Sequence, residues 1–178
     1  SAIQLLWLNL ITDGAPALVL GTEKGDPDIM QQPPRPPSEP IVNRFMLSGI
    51  AIQTVAITAV TLTAYLLGLK LHAGLPDRQI FAETMAFVTL SASELFRAYT
   101  ARSERYPILK VGLFTNRNMN YAVLISLVLL LSVVYVPFLN AVFDTVPLGW
   151  RQWEVLLPLL LVPSVVAEAV KYAISRGK

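Results

Sequence analysis

Three oxygen-bearing side chains lie close together near the start of the chain, inside an otherwise apolar stretch. They are Asn9, Thr12 and Asp13. Asn9 is spaced i, i+4 from Asp13 and i, i+3 from Thr12, so in an α-helix all three face the same way. An ionised carboxylate inside a membrane-spanning helix costs about 2.5–3.5 kcal/mol and therefore needs a compensating partner. Carboxylate, amide and hydroxyl oxygens together favour a hard cation as that partner.

The residues that follow Asp13 predict a break in its helix. Pro16 has no N–H, so the carbonyl of Thr12 loses its helical hydrogen bond, and Gly14 adds backbone freedom. We expect this helix to be unwound at its middle, where discontinuous helices of transporters hold ions. Calcium takes six to eight oxygen ligands, so further ligands must come from elsewhere. The alternative is an ion pair between Asp13 and a basic residue of a neighbouring helix.

Glu94 is the second acid inside an apolar stretch and the fourth candidate metal ligand. Ser91 precedes it by three residues on the same face, and Arg97 follows it by three. An internal ion pair with Arg97 is therefore the alternative role for Glu94. Glu168 and Lys171 have the same spacing, and there we expect the ion pair. The sequence offers no candidate catalytic or cofactor-binding residue.

The elements that must position these residues are membrane helices. Of the 178 residues, 54% are hydrophobic and 15% are charged, whereas a typical soluble domain has about 25% charged residues. The mean hydropathy is +0.55. A transmembrane helix needs about 20 mostly apolar residues, and five stretches qualify: residues 3–20, 45–69, 80–99, 120–139 and 153–174. The sequence therefore predicts an all-α membrane protein with a bundle of five transmembrane helices.

Composition also limits the partners and the layout of the chain. The net charge of +2 is too small to favour nucleic acid, and there are no cysteines for disulfides. Residues 1–20 are predicted to form the broken ion-site helix, residues 21–44 a Pro-rich loop, and residues 45–178 the other four helices. Most of the 14 Lys and Arg residues fall on one side of this arrangement. The positive-inside rule then places the Pro-rich loop and the C-terminus in the cytoplasm.

Three segments carry a resemblance to a known family. Residues 5–17 read LLWLNLITDGAPA, residues 26–35 read DPDIMQQPPR, and residues 165–172 read VVAEAVKY. The first segment resembles the sixth transmembrane helix of calcium-transporting P-type ATPases of type II, the sarcoplasmic-reticulum-like pumps. The second is similar to that family's loop between helices six and seven, and the third to its tenth helix. The resemblance covers essentially the whole chain, and the five predicted spans correspond to helices six to ten.

The resemblance implies roles for individual residues. Asn9, Thr12 and Asp13 match positions that supply calcium ligands from the sixth helix, with Asp13 bridging both ions in two-site members. The eighth helix of two-site pumps adds a Glu, which aligns with Ser91 here, and Glu94 lies one turn beyond. The resemblance therefore leaves two alternatives open: one calcium ion per cycle, or Glu94 as a substitute ligand.

The resemblance also implies a function and a setting. The chain would be the C-terminal membrane fragment of an ATP-driven calcium pump, supplying part of the ion site and a cytoplasmic coupling loop. ATP and magnesium would bind parts of the parent that are not in this sequence, so the fragment alone should not hydrolyse ATP. The expected partners are the remaining helices and cytoplasmic domains, the lipid bilayer and a small membrane regulator.

Two further points stay open at the level of sequence. The alternative function is a supporting or interaction module in a pump for another cation, manganese or sodium, since oxygen ligands suit manganese as well. The expected location is a multi-pass position in a bacterial plasma membrane, with an internal eukaryotic membrane as the alternative.

Overall fold

The chain folds into helices joined by loops. The structure, a computed structural model, describes all residues except 27, 32, 35, 37–39, 41, 43, 104–105 and 176–178, together with all helix side chains except those of residues 13, 44, 45, 174 and 175. Within the described residues there is no β-strand, which confirms the predicted all-α class. The elements are α1 (Ala2–Trp7), a π-helix hereafter called the π segment (Leu8–Asp13), α2 (Gly14–Leu20), a 3₁₀-helix (Ile29–Gln31), α3 (Arg44–Leu71), α4 (Arg78–Thr100), α5 (Ile108–Val111), α6 (Arg117–Tyr135), α7 (Pro137–Phe143) and α8 (Trp150–Ser175).

Four helices in the described part of the chain are long and apolar enough to cross a membrane. They cover Ala2–Leu20, Met46–Leu71, Arg117–Tyr135 and Trp150–Ala173, and they match four of the five predicted spans. Helix α4 covers the remaining predicted span but is not one of the four. Its charged side chains, which include Glu83, Glu94 and Arg97, make it more polar than the other long helices.

The position of α4 explains why it is the more polar helix. It packs against α3, α6, α8 and the N-terminal helix. Met85, Val88 and Leu95 on this helix are almost completely buried. A helix enclosed by other helices presents little surface to lipid, so its surface does not have to be apolar on every side.

The first helix departs from the predicted unwinding. α1, the π segment and α2 follow one another without an intervening loop, so the helix is widened at its middle and not unwound. A π-helix uses i→i+5 hydrogen bonds in place of i→i+4 bonds. Pro16, three residues after the end of the π segment, lacks a backbone N–H, so one α-helical hydrogen bond is missing beside this segment.

The fourth predicted span, residues 120–139, is shorter than expected because Pro137 begins a new helix, α7. Pro137 has no N–H for the carbonyl of Val133, four residues earlier. Two side chains replace this donor: Asn140 Nδ2 lies 2.9 Å and Thr145 Oγ1 lies 2.6 Å from the Val133 oxygen. The helix therefore breaks without leaving that carbonyl unpaired.

Two contacts fix neighbouring helices against each other. A Cβ on Gly68 of α3 would lie 2.6 Å from the Cα of Ala82 on α4, so only glycine fits there. At the start of the chain, Gln4 Nε2 donates to the carbonyl oxygen of Phe143, the last residue of α7, at 2.7 Å. The first contact joins α3 to α4, and the second joins α1 to α7.

Candidate functional site

The π segment carries all three predicted ligands of the first helix. Thr12 is 2% exposed, and its hydroxyl donates to the Leu8 carbonyl at 2.6 Å. Asn9 is exposed, so the structure places these two side chains in different surroundings. The expectation of one common face assumed α-helical spacing, and the wider π turn changes the rotation between residues. The backbone of Asp13 ends the segment, whereas its side chain lies outside the described part, so its role as a ligand stays a prediction.

A side chain from α6 reaches the backbone of the π segment. Ser126 Oγ donates to the carbonyl oxygen of Ile11 at 2.7 Å. In an i→i+5 pattern this oxygen would receive the N–H of residue 16, which is a proline and has none. Inside a membrane such a freed carbonyl must find another donor, and serine hydroxyls serve this purpose. Ser126 therefore supports the widened helix.

Glu94 forms the internal ion pair that the sequence analysis gave as its alternative role. Arg97 Nε lies 3.2 Å from Glu94 Oε2. Ser91, three residues earlier, is fully buried, and its hydroxyl makes no hydrogen bond to any described residue. Helix α4 contacts the π segment as well. In this chain the carboxylate of Glu94 carries an ion pair, and its role as an ion ligand stays a prediction.

The expected ion pair between Glu168 and Lys171 is formed in α8, with Nζ 3.1 Å from Oε1. Lys171 Nζ also donates to the Thr100 carbonyl at the end of α4. The other carboxylate oxygen of Glu168 accepts from the backbone N–H of Ile108 at 2.7 Å. The pair thus ties α8 to the end of α4 and to the start of α5.

A buried arginine organises the loops at the same end of the bundle. The side chain of Arg102 is 1% exposed, and its Nε and Nη2 donate to the two carboxylate oxygens of Glu23 at 2.9 and 2.8 Å. The guanidinium also donates to the Gly112 carbonyl at 2.7 Å and to Thr115 Oγ1 at 2.6 Å. Asn116 Nδ2 donates to Glu23 at 2.7 Å. We call these five residues the Arg102 cluster.

The Arg102 cluster joins the first residues of the Pro-rich loop to the connection between α4 and α6. The hydrogen bonds from Arg102 hold the pKa of Glu23 below its ordinary value, against the opposing effect of burial, and the hydrogen bond from Asn116 adds to the lowering. Sequence reasoning counted Arg102 and Glu23 only as loop charges, because 79 residues separate them. Only the fold brings them together.

The described side chains contain no group of three or more His, Cys, Asp or Glu residues that could hold a metal ion. Sequence reasoning also missed Ser126. Its signal was available, since Ser126 lies midway along the otherwise largely aliphatic α6.

Comparison with known proteins relates the sequence of this chain to a family. Residues 1–173 match the family described as "Cation transporting ATPase, C-terminus". Relatives include "Calcium-transporting ATPase 1" of Bacillus cereus, 34% identical over 96% of this chain, and its namesake of Yarrowia lipolytica, 35% identical over 96%. "Calcium-transporting ATPase type 2C member 1" of Homo sapiens is 33% identical over 96%.

The chain spans about a fifth of the length of these relatives, 20%, 18% and 18% respectively. The match along nearly the whole chain agrees with the membrane-spanning helices and with the three segments that resemble calcium pumps. The chain belongs to the cation-transporting ATPase C-terminal family and is similar to part of several proteins named as calcium-transporting ATPases.

Proposed function

We propose that this chain supplies part of the ion-binding site and the cytoplasmic coupling loop of an ATP-driven calcium pump. The observation that carries the proposal is the π segment, which interrupts an apolar helix and bears Asn9, Thr12 and Asp13. π-helical turns inside α-helices are frequent at functional sites. In the proposed division, residues 1–20 bind the ion, residues 21–44 form the cytoplasmic coupling loop, and residues 45–178 form the helices that support the ion site.

The exposed face of the first helix supports a site that other helices complete. Leu6, Leu10 and Leu18 on this helix are largely exposed, and Asn9 is exposed among them. A polar amide inside a membrane span needs polar partners, because lipid offers none. We propose that helices from the rest of the pump cover this face and bring the remaining oxygen ligands to Asn9 and Asp13.

Calcium is the proposed transported ion because the relatives are named as calcium-transporting ATPases. Manganese and sodium are the alternatives, and manganese accepts the same oxygen ligands. Competition of manganese against calcium in ATPase assays of the full-length pump distinguishes a calcium pump from a manganese pump. Activation by calcium that manganese cannot replace supports a calcium pump, whereas activation by manganese at lower concentration contradicts it.

Asp13→Asn in the full-length pump tests the site. The change keeps the size of the side chain and removes the charge that would bind the cation. We expect calcium-dependent phosphorylation by ATP to be abolished, as measured by phosphate incorporation over a range of calcium concentrations. Asp77→Asn is the matched control, because it makes the same change at the start of α4, where Asp77 makes no capping hydrogen bond. Normal calcium activation of Asp13→Asn would falsify the assignment.

The remaining parts of the proposal concern the whole pump. ATP and magnesium would bind its other domains, the Pro-rich loop and C-terminus would lie in the cytoplasm, and a small membrane regulator is a further proposed partner. A bacterial plasma membrane is the proposed location.

Because the ion site would be incomplete without the other helices of the pump, the isolated chain should not bind calcium tightly. Micromolar binding in equilibrium dialysis of the isolated chain would contradict the need for other helices.

A supporting role is the second candidate for the later helices. Helices α3, α4 and α8 pack against one another, and their shared interior includes Ala64, Met85 and Leu156, all with no exposed surface. Such a block can hold the first helix in place without touching the ion. Both roles are compatible, because they fall on different helices.

A further inference from the structure

A cleft between three helices opens at the end of the bundle where α3 begins and where α4 and α8 finish. It has a volume of about 260 Å³. Its walls are mainly apolar and include Met46, Ile50 and Val170, while Arg97 and Lys171 contribute cationic groups near the ends of their helices. The cleft therefore combines a mainly apolar lining with two cationic side chains.

Both cations keep N–H donors that no described residue accepts. Arg97 donates from Nε to Glu94, and its two η nitrogens make no hydrogen bond to a described residue. Its side chain is 44% exposed. Lys171 donates two of its three N–H groups, one to Glu168 and one to the Thr100 carbonyl. The two glutamates thus balance part of the charge, but free donors remain on each cation.

Gln53 and Gly49 of α3 both line this cleft. Gln53 Nε2 donates to the Pro163 carbonyl of α8 at 3.2 Å, so a contact between α3 and α8 bounds the cleft there. A Cβ placed on Gly49, which also lines the cleft, would meet no atom within 4 Å. There is consequently room beside α3 for a further apolar group.

The cleft is continuous with the outward apolar surface of α3, where Leu47 and Ile50 are each about half exposed. Basic pockets between transmembrane helices bind lipid headgroups. We propose that this cleft binds one glycerophospholipid, with its phosphate on Arg97 and Lys171 and an acyl chain along Met46, Gly49 and Ile50. None of the described residues that line the cleft lies in the π segment, and the proposal does not depend on which ion is transported.

Native mass spectrometry of the delipidated full-length pump tests the proposal with two probes. Dioleoylphosphatidylglycerol carries the phosphate, and dioleoylglycerol has the same acyl chains without it. We expect the pump to retain one phosphatidylglycerol and to retain dioleoylglycerol much more weakly. Equal retention of the two probes overturns phosphate recognition.

Two variants locate the binding. Arg97→Gln should weaken phosphatidylglycerol binding about fivefold, which corresponds to the loss of one cation near the headgroup. Arg78→Gln is the matched control, because it removes the same charge at the opposite end of α4 and should leave binding unchanged. Equal weakening in both variants overturns the location.

Gly49→Phe provides a test that does not remove a charge. The added ring would occupy the open space in the cleft and should abolish retention of the lipid, while the unfolding temperature of the pump stays unchanged or rises. Retention equal to that of the unaltered pump would overturn the proposal, because it would place the lipid elsewhere.

Discussion

Ser126 shows how one side chain can replace a missing backbone donor. Its hydroxyl lies 2.7 Å from the Ile11 carbonyl, in the helix that also contains Pro16. Ser132 lies on the same helix, α6, but donates to the carbonyl of Val128 in its own preceding turn. The two serines are chemically identical, yet only Ser126 connects two different helices.

Ser126→Ala should therefore destabilise the protein more than Ser132→Ala. Loss of a partner for a buried polar group costs about 1–3 kcal/mol, whereas the Val128 carbonyl keeps its place in the α-helix without the serine. The midpoint of thermal unfolding of the purified full-length pump measures the difference. Equal midpoints for the two variants would show that the Ile11 carbonyl does not depend on Ser126.

Single residues could be predicted where the signal is local. The pair of Glu168 and Lys171 was expected from its i, i+3 spacing, and it is formed. For Glu94, spacing alone left an ion ligand and an ion pair open, because both need the same position on the helix. The pairing of Ser126 with Ile11 could not be predicted, since the two residues are 115 positions apart.

At the scale of helices, two glycines of α3 have opposite surroundings. Gly68 lies against Ala82 of α4, where an added Cβ would be 2.6 Å from the Cα. Gly49 has no atom within 4 Å of the same position. Both are glycines inside one α-helix, so their intrinsic effect on helix stability is similar and the difference lies in packing.

Gly68→Ala should destabilise the contact between α3 and α4, by about 1–3 kcal/mol for an overpacked core. Gly49→Ala should instead stabilise the helix by about 1 kcal/mol, because alanine is the better helix former. Unfolding midpoints of the two variants of the full-length pump, compared with the unaltered protein, measure both changes. Shifts of the same sign would contradict this view of the α3–α4 contact.

Helices were easier to predict than their interruptions. Apolar length alone identified the positions of α3, α4, α6 and α8. It placed the end of α6 too late, because residues 137–139 are also apolar and the break comes from the missing N–H of Pro137. A proline inside a run does not always act in this way: α8 continues through Pro158 and Pro163.

For the molecule as a whole, the Arg102 cluster links parts of the chain that are distant in sequence. Arg102 contacts Glu23 with two nitrogens and also binds the carbonyl of Gly112. Such two-point recognition of a carboxylate requires the planar guanidinium, so lysine at position 102 would not reproduce it. Propensity and spacing act within one segment, and for this reason the sequence could not predict the cluster.

The cluster predicts a pH dependence of stability. Because the pKa of Glu23 is lowered in the folded state, its contribution is complete above the ordinary carboxyl pKa of about 4.3 and is lost as the pH falls through the folded value. The unaltered pump should be more stable than Glu23→Gln near neutral pH, and the gap should shrink below about pH 4. Unfolding midpoints measured from pH 3 to 7 check this.

Glu154→Gln serves as the control, since Glu154 lies near the start of α8, away from the Arg102 cluster. Its midpoints should stay close to those of the unaltered pump across the range. If the unfolding midpoints of Glu23→Gln and the unaltered pump do not differ at neutral pH, or if their difference grows in acid, a stabilising carboxylate at position 23 is contradicted.

The N-terminal helix is fastened at three heights. Gln4 holds it to the end of α7, Ile11 to α6, and Glu23, just beyond its end, to the loop between α4 and α6. Translation of this helix along its axis would have to break all three contacts together. A motion of the helix relative to α6 that keeps these contacts must therefore occur between them, as a change in the winding of the π segment.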